Sequence, residues 1–217
     1  MRRQSLGVII CITIAICGLL TGCSADQTSA QSLSHDQNQQ QLHELTQHKK
    51  QLRHDVLHYL KKHPMHSSDA MTTRYFGGGE ITTGDWYALT PQGQIQVSNQ
   101  GKPGFNKFGI HNLVGITSYK SAKGHKGLSE EGNNLSNIEG YARIKKRNTT
   151  VRKYLFADNG KVYEAHFKEE QPTLSTGFAP KDHTDKDPNL SPNVIFKVTK
   201  NRSLAQFWDK KIKDYKK

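Results

Sequence analysis

Between Val151 and Lys168, two runs of β-branched and aromatic residues flank Asn159-Gly160, the dipeptide favoured in two-residue type I′ hairpin turns. With that turn as the register mark, Phe156 pairs with Tyr163, Tyr154 with Ala165 and Arg152 with Phe167 on one face of the sheet. Cross-strand pairs of this kind stabilise a sheet by about 0.2 to 1 kcal/mol each. A second hairpin is expected over Asp85 to Ser98, with Trp86 to Leu89 and Gln94 to Val97 joined through Thr90-Pro91-Gln92-Gly93. Pro91 presets the turn and Gly93 tolerates positive φ. Short apolar runs with glycine, asparagine and proline between them continue from Arg74 to Lys200, and Leu113 to Tyr119, Ile138 to Lys146 and Val194 to Thr199 read as further strands. Lys120 to Asn137 and Gln171 to Pro192 read as long mobile surface loops.

Helical periodicity brackets this β-rich stretch. Gln41 to His63 lacks Gly and Pro and places Leu42, Leu45, Leu52, Val56, Tyr59 and Leu60 on one stripe, ending at Pro64. Ser203 to Tyr215 puts Leu204, Phe207, Trp208, Ile212 and Tyr215 on one face and Lys210, Lys213 and Asp214 on the other, with Ser203 and Gln206 at capping-box spacing. A sheet with a bare apolar face needs a cover, so both helices are expected to pack on it. The expected fold is α+β, an antiparallel sheet or partly closed barrel flanked by an N-terminal and a C-terminal amphipathic helix. Its parts are a helix over about 41–63, a β-rich stretch over 74–200 and a helix over 203–215, all within a single domain, 41–217.

Upstream, Arg2 and Arg3 precede an apolar run from Leu6 to Leu20, and Leu20-Thr21-Gly22-Cys23 follows. This order resembles the lipobox of bacterial lipoproteins. The resemblance implies that residues 1–22 are a signal peptide, that the Cys23 thiol carries diacylglycerol, and that the mature chain begins there on the extracytoplasmic face of the cell membrane. The apolar run is shorter than the about 20 residues a spanning helix needs. Cys11 and Cys17 would leave with the signal peptide, so neither a disulfide nor a thiol-based metal site is expected. Residues 23–40 are Ser, Gln, Asn and Asp with almost no apolar side chain, a composition that reads as a disordered tether. The lipobox, tether and lysine-rich composition together make the chain similar to small lipoproteins of Gram-positive bacteria, especially lactic-acid bacteria.

Charge suggests the partner. The chain carries 31 Lys and Arg against 19 Asp and Glu, a formal charge of +12 that becomes +10 once Arg2 and Arg3 are removed. Such a protein is drawn to anionic cell-wall polymers and phospholipid, with an attraction screened by salt. The densest basic runs are Lys120, Lys123, His125 and Lys126, and then Arg143, Lys145, Lys146 and Arg147. Read as a strand, the second run places Arg143, Lys145 and Arg147 on one face. Anion binding is therefore assigned to Lys120, Lys123, His125, Lys126, Arg143, Lys145 and Arg147. No aromatic side chains interleave with these cations to stack bases, so sequence-specific nucleic-acid binding is not expected.

Other motifs point elsewhere. His54-Asp55-Val56-Leu57-His58 is superficially similar to the zinc-protease helix, but aspartate stands where that family has glutamate, and both histidines lie opposite the apolar stripe. Gly77-Gly78-Gly79 lacks the helix and lysine of a phosphate loop. No G-x-S-x-G elbow occurs, and pairing among Glu80, Glu130, Glu131, Glu139, Glu164 and Asp158 is a question of space. No metal, cofactor or catalytic residue is assigned. Gly84-Asp85-Trp86-Tyr87 resembles the opening motif of the lipocalins, which implies, as an alternative, a barrel with a cavity near Trp86 for a small apolar ligand. A less favoured alternative is an envelope hydrolase, with two carboxylates or a Ser/His pair converging in a cleft.

Overall fold

The computed structural model describes residues 39–216 except 101–107, 169 and 185, and all of these fall in one compact unit. The lipobox, Cys23 and nearly all of the expected tether lie outside the described residues; residues 39 and 40, read as tether, are already helical. No described helix is long and apolar enough to cross a membrane.

The architecture is α+β. A curled, mixed sheet forms a half-barrel packed with three helices. α1 (residues 39–47) and α2 (Lys49–Lys62) are separated by a turn at His48, and α3 (Arg202–Tyr215) closes the chain. The strands are β1 (Ala70–Thr72), β2 (Gly84–Thr90), β3 (Gly93–Gln100), β4 (Ile110–Tyr119), β5 (Gly127–Leu128), β6 (Val151–Ala157), β7 (Val162–Phe167), β8 (Ala179–Lys181) and β9 (Lys197–Val198). They run β8-β2-β3-β4-β6-β7-β9, with β1 also on β4 and β5 on β1. The pairing is not wholly antiparallel, because β3–β4 and β1–β5 are parallel. Pro180, which cannot donate to a ladder, sits on the edge strand β8. The segment before β9 reaches back to β2, where Phe196 N donates to Leu89 O at 2.8 Å, so one segment touches both ends of the curl and partly closes it.

Both faces of the central strands are covered, which is why β4 is buried along its whole length. Val151, Leu155, Tyr163, Phe167 and Phe196 point into the curl with Tyr119, Tyr141 and Phe178. Tyr154, Phe156, Val162 and Ile116 point outward to Leu52, Val56, Leu60, Leu204, Trp208 and Ile212 of the helices. The single helix expected over 41–63 is broken in two at His48, but its Leu42, Leu45, Leu52, Val56 and Leu60 are buried, as are Leu204, Trp208 and Ile212 of α3, while Tyr59, Phe207 and Tyr215 are half-buried. α3 is capped by Asn201, whose Oδ1 accepts from Leu204 N at 3.0 Å, and Ser203 lies inside the helix. The Ser203 capping box does not form because Asn201, two residues earlier, already serves the free amides of the first turn.

The hairpin between β6 and β7 forms, but one residue out of the expected register. Phe156 pairs with Val162, Leu155 with Tyr163, Lys153 with Ala165 and Val151 with Phe167. The loop has three residues, Asp158-Asn159-Gly160, closed by Ala157 N to Lys161 O at 2.9 Å, with Gly160 left-handed at φ 77°. The third residue is recruited by β4: Asp158 accepts from His111 N at 3.0 Å and bonds His111 Nδ1 at 2.9 Å. A one-residue slip exchanges faces. Phe156 and Tyr154 therefore face the helices, while Tyr163 and Phe167 face the curl. The earlier hairpin has the expected turn, with Leu89 opposite Gln94 and Thr90 opposite Gly93.

Ile138 to Lys146 is not a strand. Gly140–Arg143 is a 3₁₀ turn, Ile138 is 84 % exposed, and Tyr141 and Ile144, three residues apart, are the buried anchors. Tyr141 is held by hydroxyl contacts to Arg74 O at 2.6 Å and Thr117 Oγ1 at 2.9 Å, and these override the period-two pattern. The two expected loops also carry structure, β5 and a 3₁₀ turn in one and β8 in the other.

α2 and α3 are joined by stacking of Tyr59 on Phe207, with centroids 4.1 Å apart, and by Lys211 Nζ to Asp55 Oδ2 at 2.9 Å. Burial alone would raise the Asp55 pKa, but Lys211 and the Gln51 amide outweigh it and hold the carboxyl below its ordinary value. The hydrogen bond to Asp55 raises Lys211 in turn. A depressed carboxyl contributes stability above its ordinary pKa of 3.8 and loses it as pH falls through the folded value. The raised Lys211 contributes below 10.5 and loses it as pH rises past that. Lys211 is partly exposed, so Asp55→Asn is expected to cost only about 0.5 to 1 kcal/mol at pH 7. The difference from the parent in thermal midpoint should close as pH is taken well below 4.

Candidate functional site

Two basic runs far apart in sequence meet at the end of β4. Lys120 follows the last residue of that strand, and the chain turns through Ser121 to Gly124, where Ser121 Oγ accepts from Lys123 N at 3.1 Å. The second run leaves the 3₁₀ turn alongside it. Ala122 N donates to Ile144 O and Lys146 N to Lys120 O, both at 2.8 Å, with Ser121 opposite Lys145 in an antiparallel bridge. The far end of the first run is anchored by Gly127 N to Asp69 O at 2.9 Å.

This backbone pairing makes a basic ridge in which Lys120 lies beside Lys146, and Lys123, Lys126 and Arg147, which follow them in the chain, are exposed as well. No acidic residue occurs within 120–127 or 143–148. His125 is exposed and lies 3.6 Å from Glu131, which partly offsets its contribution when it is protonated.

Two of the expected residues depart from the ridge. Lys145 is 5 % exposed and its Nζ donates to Thr149 O at 3.3 Å, so it braces the turn instead of facing solvent. Arg143 belongs to the 3₁₀ turn, donates to Asn134 O at 3.5 Å and pairs with Glu139 at 3.7 Å. Both shifts follow from the loss of the expected strand, since alternation no longer governs which cations share a face. Lys146 is the cation that strand alternation missed. The signal that finds it is the pairing with Lys120, which exists only in the folded chain.

The other candidate features have structural roles. His54 is 72 % exposed and stacks on His58 at 6.4 Å, on the solvent face of α2. Among the described residues, no group of three or more His, Cys, Asp or Glu could hold a metal ion. Two His–carboxylate pairs act as staples between segments. His183 bonds Asp85 at 2.6 Å, where Gln96 also donates to Asp85 at 2.9 Å, and His111 bonds Asp158 at the hairpin loop.

Among the described residues, the interior of the curl is packed with aromatic rings and Lys153. Lys153 is fully buried and donates to Leu174 O at 2.7 Å, Thr176 O at 2.8 Å and Thr173 O at 3.4 Å. Its ammonium also lies 4.5 Å from the Phe178 ring centroid. Trp86 borders a small cavity of about 270 Å³, shared with the exposed Ile81 and Ile138.

No family model matches the chain, and neither does any curated protein or solved structure.

Proposed function

We propose that this chain is a lipid-anchored, non-enzymatic protein of the extracytoplasmic membrane face. Its basic ridge binds phosphate-bearing cell-wall polymer or anionic phospholipid. The observation that carries the reading is the backbone pairing of Lys146 with Lys120, which joins two exposed basic runs, Lys120, Lys123 and Lys126 with Lys146 and Arg147, neither of which contains an acid. Lysines on turns present compact charges that phosphate can approach closely, and Gly124 and Gly127 leave the approach open. A diacylglycerol on Cys23 would hold the ridge near the membrane surface, where each Lys or Arg adds about 1 kcal/mol of attraction to anionic lipid.

The test is binding of the protein to immobilised teichoic-acid-type polymer and to anionic vesicles across a salt series. Binding should weaken steeply as salt rises. Lys120→Ala/Lys123→Ala/Lys126→Ala should reduce it on the order of 100-fold at low salt, from about 1 kcal/mol per cation. Lys145→Met, which removes an inward charge, should leave binding within about two-fold after correction for folded fraction. Absence of binding at low salt, or a triple variant that binds like the parent, would overturn the proposal.

A further inference from the structure

The sheet is split beside β4. β3 pairs with it only at Ile110 and His111, and β1 only from Thr117 to Tyr119. Between these, residues 112–116 have strand partners on the β6 side alone among the described residues. Tyr75 lies across the opening. Its ring covers Gly115, where an added Cβ would come within 2.3 Å of Tyr75 Cδ1, so only glycine permits the approach. Its hydroxyl donates to Val97 O at 3.3 Å and accepts from Asn112 Nδ2 at 2.9 Å, tying the diverging strands together. Burial pushes the Tyr75 phenol up to about 12, so it stays neutral at ordinary pH.

The junction of α1 and α2 overhangs this opening, and between them lies a half-open cavity of about 560 Å³, within the range of sites that take small ligands. The lining is two-sided. Tyr75, Leu113 and Val114 supply an apolar floor, while Lys49, Lys50 and Arg53 stand on the helical rim, and none of the lining residues is acidic. Arg53 is steadied by Thr73, whose Oγ1 accepts from Nη2 at 2.6 Å. Lys49 and Lys50 have no carboxylate within ion-pair distance among the described residues. Much of the Lys49 side chain is open to solvent, yet desolvation lowers its pKa, a cost that a bound anion would relieve.

Three cations over an apolar floor suit a ligand with a negative head and a hydrocarbon chain. We propose that this cavity binds a single-chain anionic amphiphile, its carboxylate or phosphate held by Lys49, Lys50 and Arg53 and its chain lying on Tyr75, Leu113 and Val114. The site is independent of the basic ridge, which lies beyond the end of β4.

Photolabelling of the full chain in membranes tests the proposal, using a diazirine-bearing palmitate, a diazirine-bearing lysophosphatidylglycerol and the matching diazirine fatty alcohol, with adducts mapped by peptide mass spectrometry. At least one anionic probe should label residues 73–75 and 113–115 and be displaced by its unlabelled parent. Labelling by palmitate alone identifies a carboxylate ligand, and labelling by the lysophospholipid alone a phosphate ligand. Lys49→Glu/Arg53→Glu should lower labelling at least ten-fold, and so should Thr46→Trp, which fills the cavity from an exposed helix position. Lys120→Glu/Lys123→Glu should leave it unchanged while abolishing polymer binding, so that the two readings fail separately. No label in these segments, equal labelling by the fatty alcohol, or labelling indifferent to the rim charges and to Thr46→Trp would overturn the proposal.

Discussion

Replacing Lys153 by alanine is expected to lower the stability of the domain by about 3 to 5 kcal/mol, from a large-to-small change in the core together with buried acceptors left unpaired. In a domain of this size that corresponds to a fall in thermal midpoint of about 6 to 20 °C. Lys153 has no exposed surface, and its ammonium donates to the carbonyls of Thr173, Leu174 and Thr176. It also lies 5.5 Å from the Phe167 ring centroid and 5.6 Å from that of Tyr141. Alanine deletes three of the four stem carbons and the ammonium and leaves those carbonyls facing a cavity, so the loss combines missing contacts with unpaired acceptors. Lys153→Met keeps most of the stem and isolates the second term, with an expected cost of about 2 to 3 kcal/mol. Denaturant unfolding measures both changes. Hydrogen exchange should show the 173–178 segment losing protection first, because those carbonyls fasten it across the curl. A cost below about 1 kcal/mol for both variants would mean that the segment is held by something other than the ammonium.

Trp208→Ala should be comparably severe, at about 3 to 5 kcal/mol. Trp208 is fully buried, sits edge-on to Phe156 with centroids 5.3 Å apart, and donates from Nε1 to Ala157 O at 2.7 Å. It therefore fastens α3 to the strand end from which the hairpin loop departs. Trp208→Phe retains much of the apolar surface but leaves the Ala157 carbonyl unpaired, and should cost about 1 to 3 kcal/mol. Equal losses in the two variants, measured by chemical denaturation, would show that the hydrogen bond outweighs the burial and would contradict this account.

Legibility differed from element to element for physical reasons. Leu52, Val56 and Leu60 announce the buried face of α2 because a helix repeats every 3.6 residues whatever it packs against. The turn at Pro91-Gln92 forms where expected because proline fixes its own φ and Gly93 accepts the positive φ of 120° that the turn requires. The Asn159-Gly160 turn was placed correctly, but its register was not, since the loop length depends on the bonds that Asp158 makes to His111 on another strand. The segment around Tyr141 reads as a strand, but the Tyr141 hydroxyl contacts to Arg74 and Thr117, its amide bond to Pro172 O and the left-handed Gly140 hold it as a 3₁₀ turn. That single difference removes Lys145 from the basic surface and adds Lys146.

The candidate sites show the same division. Charge density marked residues 120–126 and 143–147 before any fold was known, because clustered lysines are visible in one dimension. The cavity under α1 and α2 is invisible there, since its floor comes from β4 and Tyr75 and its roof and rim from the first helices. Lys153 likewise reads as one more lysine in a lysine-rich chain.

The sequence alone determined the α+β class, the amphipathic helical stretches at both ends of the domain, the positions of both hairpins and the basic character of the chain, all consequences of local periodicity, turn chemistry and composition. Tertiary structure decided the strand register, the two parallel pairings, the inward turn of Lys145 and Lys153, and the meeting of Lys120 with Lys146. Each of these depends on a hydrogen bond or contact between residues distant in the chain, and no local rule encodes that partner.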